Sequence, residues 1–207
     1  IIEMTLSLHF DKGTIQLHGM AGRYMQHLDG ISWDERTNSY RTPAANYRKL
    51  VTALCEKNIS FQDHARKFSA ETFVLKKNIR PRSFQSEAAE AWLSEKHGVV
   101  TLPTGAGKTI LAVMLIAETG RPTLIHVPTI DLMRQWKDVL SEYFETPIGL
   151  LGGGINDIQT ITVATYDSAL IHVTHQGNLF GLLVFDECHH LPGEQNQFTA
   201  LGSIAPF

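Results

Sequence analysis

Apolar and polar residues alternate over "TLSLHF", which places Leu6, Leu8 and Phe10 on one face. A period of two marks a half-buried strand. "DKG" follows as a turn, and "TIQLHG" alternates again through Ile15 and Leu17, so the two runs predict a hairpin. A second hairpin is expected from "GISWDERT", a turn near Asn38 and Ser39, and "YRT". The period then changes. In "TPAANYRKLVTALCEKN", Tyr47, Leu50, Val51 and Leu54 recur at helical spacing. Thr42 suits the cap of that helix, Pro43 its first position and Asn58 its stop.

From about Arg80 the pattern is different. "GVVTL" (98–102) reads as a short apolar strand, and "GKTILAVMLIAETG" as a helix closed by Gly120. "PTLIHV" is a strand, "TIDLMRQWKDVLSEYF" a helix, and "TITVAT" and "GLLVFDE" are strands. Apolar strands alternating with helices predict a parallel sheet buried on both faces. The expected architecture is α/β: a small α+β domain over 1–68, a linker over 69–82 containing "KKNIRPRS", and a parallel-sheet domain over 83–207.

Composition changes this picture little. The chain has 207 residues, 43% hydrophobic and 19% charged, and no apolar run approaches the roughly 20 residues a membrane span needs. "IIEMTLSLHF" lacks the basic start of a signal peptide. Cys55 and Cys188 provide no disulfide framework, so a reducing interior is expected. The net charge is −3, but residues 1–79 carry eleven Lys and Arg against eight Asp and Glu, while residues 80–207 carry seven against thirteen.

Two stretches carry chemistry. "LPTGAGKT" (102–109) lies between an expected strand and an expected helix, the context of a phosphate loop. Gly105 and Gly107 let the backbone turn its N–H groups toward an anion, and the helix start adds its positive dipole end. Lys108 would reach the β- and γ-phosphates of a nucleotide, and Thr109 would give its hydroxyl oxygen to Mg²⁺. The strict pattern has Gly where this chain has Leu102, but the Gly-Lys-Thr end that does the chemistry is intact. The second stretch, "FDECHHL" (185–191), has five consecutive possible metal ligands. Neighbouring residues at a strand end point to opposite faces, so five in a row do not converge on one zinc ion. An acidic pair ending a buried strand fits magnesium better. Asp186 would join the Mg²⁺ shell, and Glu187 would orient and deprotonate a water.

With these motifs in order, the chain resembles the first RecA-like motor domain of a superfamily 2 helicase. "PTGAGKT" is similar to motif I and "DECH" to motif II of the DExH type. "HVPTIDLMRQW" resembles motif Ia, with Thr129 against the nucleic-acid backbone, and "LLGGG" and "ATYDSAL" resemble further strand-contacting motifs. "RSFQ" (82–85) is similar to the Arg-x-aromatic-Gln element of the XPB-like branch. That resemblance implies an ATP-binding set of Arg82, Gln85, Thr104, Gly105, Ala106, Gly107, Lys108 and Thr109, with Gln85 on the adenine edge. It makes His189 the link between the ATP site and later motifs. "DGISWDERTNSYRTPAANYRKLV" looks like the damage recognition domain of prokaryotic XPB-like helicases, so the similarity runs along nearly the whole chain.

The resemblance implies an ATP- and Mg²⁺-dependent DNA helicase or translocase acting in DNA repair, specifically nucleotide excision repair. Its partners would be DNA with distorted or single-stranded regions, and a repair nuclease or transcription and repair factors. Its place would be the cytoplasm of a prokaryote or archaeon, or the nucleus of a eukaryote. In the family, a stretch like "SIAPF" leads into motif III and a second RecA-like domain with an arginine finger. This chain stops at Phe207, so it is expected to be the N-terminal half of a larger protein. Without that arginine, worth on the order of 10³–10⁵ in rate in related NTPases, the fragment would be inactive or very weak.

Other readings stay open. Thr129, Arg134, Gly153 and Thr165 are candidate nucleic-acid contacts, yet Thr129 also suits a helix cap, Arg134 a solvated helix face, and Gly152–Gly154 a plain turn. Tyr24, Trp33, Tyr40 and Tyr47 suit base stacking or a core, and Arg36, Arg41, Arg48 and Lys49 a basic face or ordinary surface. The alternative function is a non-catalytic DNA- or damage-sensing module with a nucleotide-controlled switch. A small phosphate-loop kinase or transport ATPase fits "DECHH" poorly, and no LSGGQ-like stretch is present.

Overall fold

The computed structural model describes residues 5–19, 30–103, 105–190 and 194–207, with the side chains of 190 and 194–196 left aside. The chain forms two compact units. One gathers the described residues up to Phe68 with Ala169–Phe180 and those of Leu191–Pro206. The other holds Ser69–Ser168, Gly181–His190 and Phe207.

The first unit is built on a five-stranded sheet. Strands β1 (Leu6–Asp11) and β2 (Thr14–His18) form the expected hairpin. Its two-residue turn, Lys12 and Gly13, has φ of 47° and 77°, both positive as a right-twisted hairpin turn requires. Strands β3 (Ser32–Asp34) and β4 (Ser39–Pro43) form the second hairpin, and β5 (Phe61–Asp63) runs parallel to β1. The order is β3-β4-β2-β1-β5. Leu6, Leu8, Ile15 and Leu17 are buried on one face against Tyr47, Leu50 and Leu54 of helix α1 (Tyr47–Glu56). Each such side chain contributes roughly 1.5–3 kcal/mol by leaving water. The expected helix start is corrected here. Thr42 and Pro43 end β4, a 3-10 turn covers Ala44–Asn46, and the α-helix begins at Tyr47. The ladder wins because Thr42 pairs with Ile15, its side chain is buried, and its hydroxyl accepts from Asn46 Nδ2 at 2.8 Å rather than capping. The helix does stop at Asn58, whose φ is 53°.

The second unit holds the parallel sheet. Strands β6 (Thr123–Val127), β7 (Ile148–Gly152), β8 (Ile155–Asp157), β9 (Ile161–Thr165) and β10 (Leu182–Phe185) are ordered β10-β6-β9-β7-β8. All neighbours are parallel except β7 and β8, a hairpin turned by Gly152–Gly154. All five residues of β9 are buried, as a sheet covered on both faces demands. Helices α2 (Ser83–Glu95), α3 (Lys108–Thr119) and α4 (Ile130–Tyr143) belong to this unit, and Met133, Trp136 and Leu140 of α4 enter the sheet core. Gly120 closes α3 with φ of 55°, and a Cβ there would lie 2.5 Å from the Glu71 carbonyl. Residues 69–82 carry no helix or strand. They lie along this unit through Glu71 N–H to Gly120 O, Lys76 N–H to Tyr143 O, and Phe73 edge-on to Phe144.

The strand expected at 98–102 does not form: these residues pair with no strand, and Val99 is 77% exposed. An apolar run becomes a strand only where an edge accepts it. The edge of β10 away from β6 receives no strand among the described residues, and its Leu183 N–H donates to the Phe207 carbonyl. Val100 and Leu102 instead pack against Ala89, Leu111 and Leu115 of α2 and α3. Helices α5 (Tyr166–Gln176) and α6 (Glu194–Leu201) complete the chain. From Ala169 onward, α5 belongs to the first unit.

Candidate functional site

The parallel register brings the C-terminal ends of the strands to one edge. Phe185 pairs with His126, Val127 with Thr165, and Leu151 with Ala164. The strand-end residues Gly152 and Thr165, with Asp186 and Thr129 just beyond their strands, therefore share the edge where ligands bind in open α/β sheets.

The phosphate-loop residues Gly105 and Gly107 have φ of 77° and 86°, so both need glycine's freedom, and Gly107 directly precedes α3. Ala106 lies between them, and Thr109 sits in the first turn of α3. Thr104 lies outside the described residues. Gln85 is buried, and its Nε2 donates to the carbonyls of Ala106 and Gly107 at 3.0 and 3.1 Å. Its Oε1 accepts from the Arg82 N–H at 2.9 Å, tying the start of α2 to the loop. A Cβ on Gly107 would lie 2.6 Å from Gln85 Nε2. Beside the loop is a cleft of about 210 Å³ lined by Ile79, Arg82, Gln85, Ile110 and Tyr143 among others.

Across from the loop, Lys108 Nζ lies 3.5 Å from Glu187 Oε1, and His189 Nδ1 lies 3.4 Å from Glu187 Oε2. All three side chains are partly open to solvent, with the Lys108 and Glu187 chains 42% and 40% exposed. Such a solvent-exposed pair is worth little. Glu187 has φ of 51°, a strained conformation for a non-glycine residue of the kind that gathers at functional sites. Its N–H donates to Asp186 Oδ1 at 3.0 Å. Asp186 Oδ2 accepts from Trp136 Nε1 at 2.8 Å, and the Asp186 carbonyl accepts from the Tyr166 hydroxyl at 2.9 Å. Burial first, then Cys188, Asp186 and Glu187 nearby, push the Tyr166 phenol above its ordinary range. His126, fully buried and stacked on Phe185 at 4.3 Å, is driven down to about 4 by burial. Trp136, Tyr166 and His126 were not singled out from the sequence. The available signal was an indole on the buried face of α4, where an N–H requires a partner.

Of the nucleic-acid candidates, Thr129, Gly153 and Thr165 lie at or just past strand ends, and Arg134 lies within α4. Thr129 is exposed and caps α4, its Oγ1 accepting from the Leu132 N–H at 3.2 Å. Thr165 Oγ1 donates to Ser168 Oγ at 2.9 Å. A Cβ on Gly152 would lie 3.0 Å from Thr165, and one on Gly153 3.1 Å from Ile130. Arg134 is two-thirds exposed, 4.0 Å from Asp131. In the first unit, Tyr47 is buried and donates to Asp63, and Arg41 is paired with Asp11 at 2.6 Å and with Asp34 at 3.1 Å. Trp33 stays half exposed, edge-on to Tyr40, and Arg36 pairs with Asp34. Tyr24 lies outside the described residues.

A parallel sheet with a Gly-rich loop opening one helix and an acidic pair ending a neighbouring strand is the arrangement of a RecA-like motor domain. Residues 78–204 match the family described as type III restriction enzyme, res subunit, and the chain belongs to that family. Residues 8–65 match the xeroderma pigmentosum group B helicase damage recognition domain. The chain is 40% identical over 179 residues to the DNA 3'-5' translocase XPB2 of Sulfurisphaera tokodaii, covering 86% of this chain and 40% of that protein. It is 34% identical over 132 residues to the DNA 3'-5' helicase XPB of Mycobacterium tuberculosis, covering 58% of this chain and 24% of that protein. The chain thus spans less than half the length of these relatives. The crystal structure of the UvsW helicase from bacteriophage T4 shares the fold, with a TM-score of 0.54 at 18% identity over 97% of this chain and 89% of that one. Among the described residues no helix is long and apolar enough to cross a membrane.

Proposed function

We propose that this chain is the nucleotide-binding part of an ATP-driven DNA helicase or translocase of the XPB type, working in DNA repair. The observation that carries the reading is the Lys108–Glu187 approach of 3.5 Å, made between the start of α3 and the end of β10 and next to an anchored Asp186. Gly105, Ala106 and Gly107 would offer backbone N–H groups to the phosphates, with Lys108 supplying the charge. Arg82 and Gln85 border the cleft where a base would lie. Thr109 and Asp186 suit Mg²⁺, an ion that takes oxygen ligands and few protein groups. When bound, the metal would neutralise phosphate charge. Glu187 would take the proton of an attacking water, and His189, on the other carboxylate oxygen, would relay its state.

DNA would run along the edge carrying Thr129, Gly153, Thr165 and Arg134, held by its backbone rather than its bases. A second RecA-like domain would supply the arginine that stabilises transition-state charge. The two relatives are named for DNA work in an archaeon and a bacterium, which supports a cytoplasmic place.

The test is Mg-ATP binding and turnover by the 207-residue chain, with and without DNA. Lys108→Ala is expected to lose roughly 10- to 100-fold in nucleotide affinity, the worth of hydrogen bonds to charged groups. Unchanged affinity in a folded Lys108→Ala protein refutes the assignment.

A further inference from the structure

Asp186 is gripped at every polar atom. Its N–H donates to the His126 carbonyl at 2.9 Å, and its Oδ1 accepts from the adjacent Glu187 N–H at 3.0 Å. Both contacts follow from the sheet register and the chain direction. Two others do not. Trp136 Nε1 reaches Oδ2 from 50 residues away, and the Tyr166 hydroxyl reaches the main-chain carbonyl from 20 residues away. A buried helix position that only fills volume is served by Leu or Phe, whereas an indole there demands a partner for its N–H. Trp136 is 5% exposed, and its partner is the carboxylate.

The positions of the two donors share a feature. Trp136 lies on α4, which is capped by Thr129, about 10 Å along the axis at 1.5 Å per residue. Tyr166 opens α5 and follows Thr165 directly. Each donor thus sits on a helix whose N-terminal end is one of the candidate DNA contacts.

We infer that Trp136 and Tyr166 are positioning residues that transmit the placement of α4 and α5, set at the DNA edge, to Asp186, Trp136 at its carboxylate and Tyr166 at its main chain. The inference rests on the reading of Asp186 and of the DNA edge given above. A helix moves as a rod, and a close-packed interior transmits small displacements instead of absorbing them. Hydrogen bonds weaken steeply with misalignment, so a shift of α4 turns the carboxylate. Mg²⁺ takes oxygen ligands with a strict geometric demand, so the orientation of Asp186 would set how well it could hold the ion.

The experiment is titration of the 207-residue chain with ADP, in EDTA and in Mg²⁺, each with and without a short DNA duplex. Trp136→Phe keeps an aromatic ring and removes the N–H, and Tyr166→Phe removes the hydroxyl. Expected is an unchanged affinity in EDTA, and a loss of roughly tenfold in the gain from Mg²⁺, the usual cost of losing a group that orients a metal ligand. The factor by which DNA alters Mg-ADP affinity, equal by linkage to the factor by which Mg-ADP alters DNA affinity, should fall toward one. Equal losses with and without Mg²⁺, no loss at all, or absence of any DNA effect in the parent chain overturns the inference. Lys108→Ala separates the two levels: wild-type nucleotide affinity in that variant sinks the site reading, whereas its loss alongside unaltered Trp136→Phe behaviour sinks only the link. A second measurement leaves Trp136 in place. With Trp33 and Trp92 replaced by Phe, the remaining indole should change its emission on adding DNA alone and on adding Mg-ADP alone. A signal indifferent to DNA overturns the link.

Discussion

The two sheets of this protein handle polarity in opposite ways. In the first, alternation sends Leu6, Leu8, Ile15 and Leu17 inward, and their neighbours Ser7, His9, Gln16, His18, Gln62 and His64 the other way. Three imidazoles gather on that face, with the His9 ring 5.3 Å from His18 and 5.0 Å from His64. In the second sheet the central strand β9 is buried at every position, so neither of its faces is left for chemistry. Polar residues within its strands, Thr123, His126 and Thr162, are buried, and the candidate site residues Thr129, Thr165, Asp186 and Glu187 stand where the strands stop. A sheet with one open face can present side chains along its length, while a sheet covered on both faces can present them only at its ends.

Substitution should expose this contrast. Ala164→Asp, in the middle of the covered sheet, is expected to cost at least about 3–5 kcal/mol by burying an unpaired charge. Gln62→Lys, on the open face, should stay within about 0.5 kcal/mol. Urea denaturation of both variants decides it, and similar midpoints for the two would end the comparison.

Acid should strike the covered sheet next. His126 is held near 4 by burial, below its ordinary 6.5, so the unfolded chain takes up the proton first. Its contribution is complete above pH 6.5, falls as pH drops through the window, and is gone below about 4, a loss of about 3 kcal/mol. Midpoints measured from pH 7 to 4 should show this slope, and His126→Phe should flatten it.

A smaller effect belongs to the strand ends. Thr129→Ala removes the cap of α4 and should cost about 1 kcal/mol. If Thr129 also meets DNA, duplex affinity in a fluorescence anisotropy titration should fall as well, and an unaltered affinity would leave Thr129 a cap alone. The smallest effect concerns the open face. Burial first, then the charges of His18 and His64, hold His9 below its ordinary range. Stability from this site is therefore full at neutral pH and declines in acid. His9→Asn should remove a shallow part of the acid slope, which a rising slope in that variant would contradict.

Much of this was legible along the chain. Period-two runs marked β1 and β2, helical spacing marked α1, and Gly120 marked the end of α3, because each reports a local rule of backbone geometry and burial. Lys108 and Glu187 are readable from their motifs, and the start of α3 and the end of β10 bring them within 3.5 Å. The run "IGLLGGGIND" gave no alternation from which to read the β7–β8 hairpin, since β7 is buried on both sides. The helix α2 was missed for a related reason: only Gln85 and Ala89 of its thirteen residues are fully buried.

By itself the sequence determined strands β1–β4, β6, β9 and β10 and helices α1, α3 and α4, and which residues have the chemistry for a phosphate loop and an acidic pair. Periodicity, turn residues and side-chain type are local properties, and each can be read one window at a time. Tertiary structure alone decided that 98–102 stays unpaired, that Thr42 ends a strand rather than capping a helix, and that Trp136 and Tyr166 hold Asp186. Each of those outcomes depends on which edge or donor a distant segment presents, and separation along the chain carries no record of that.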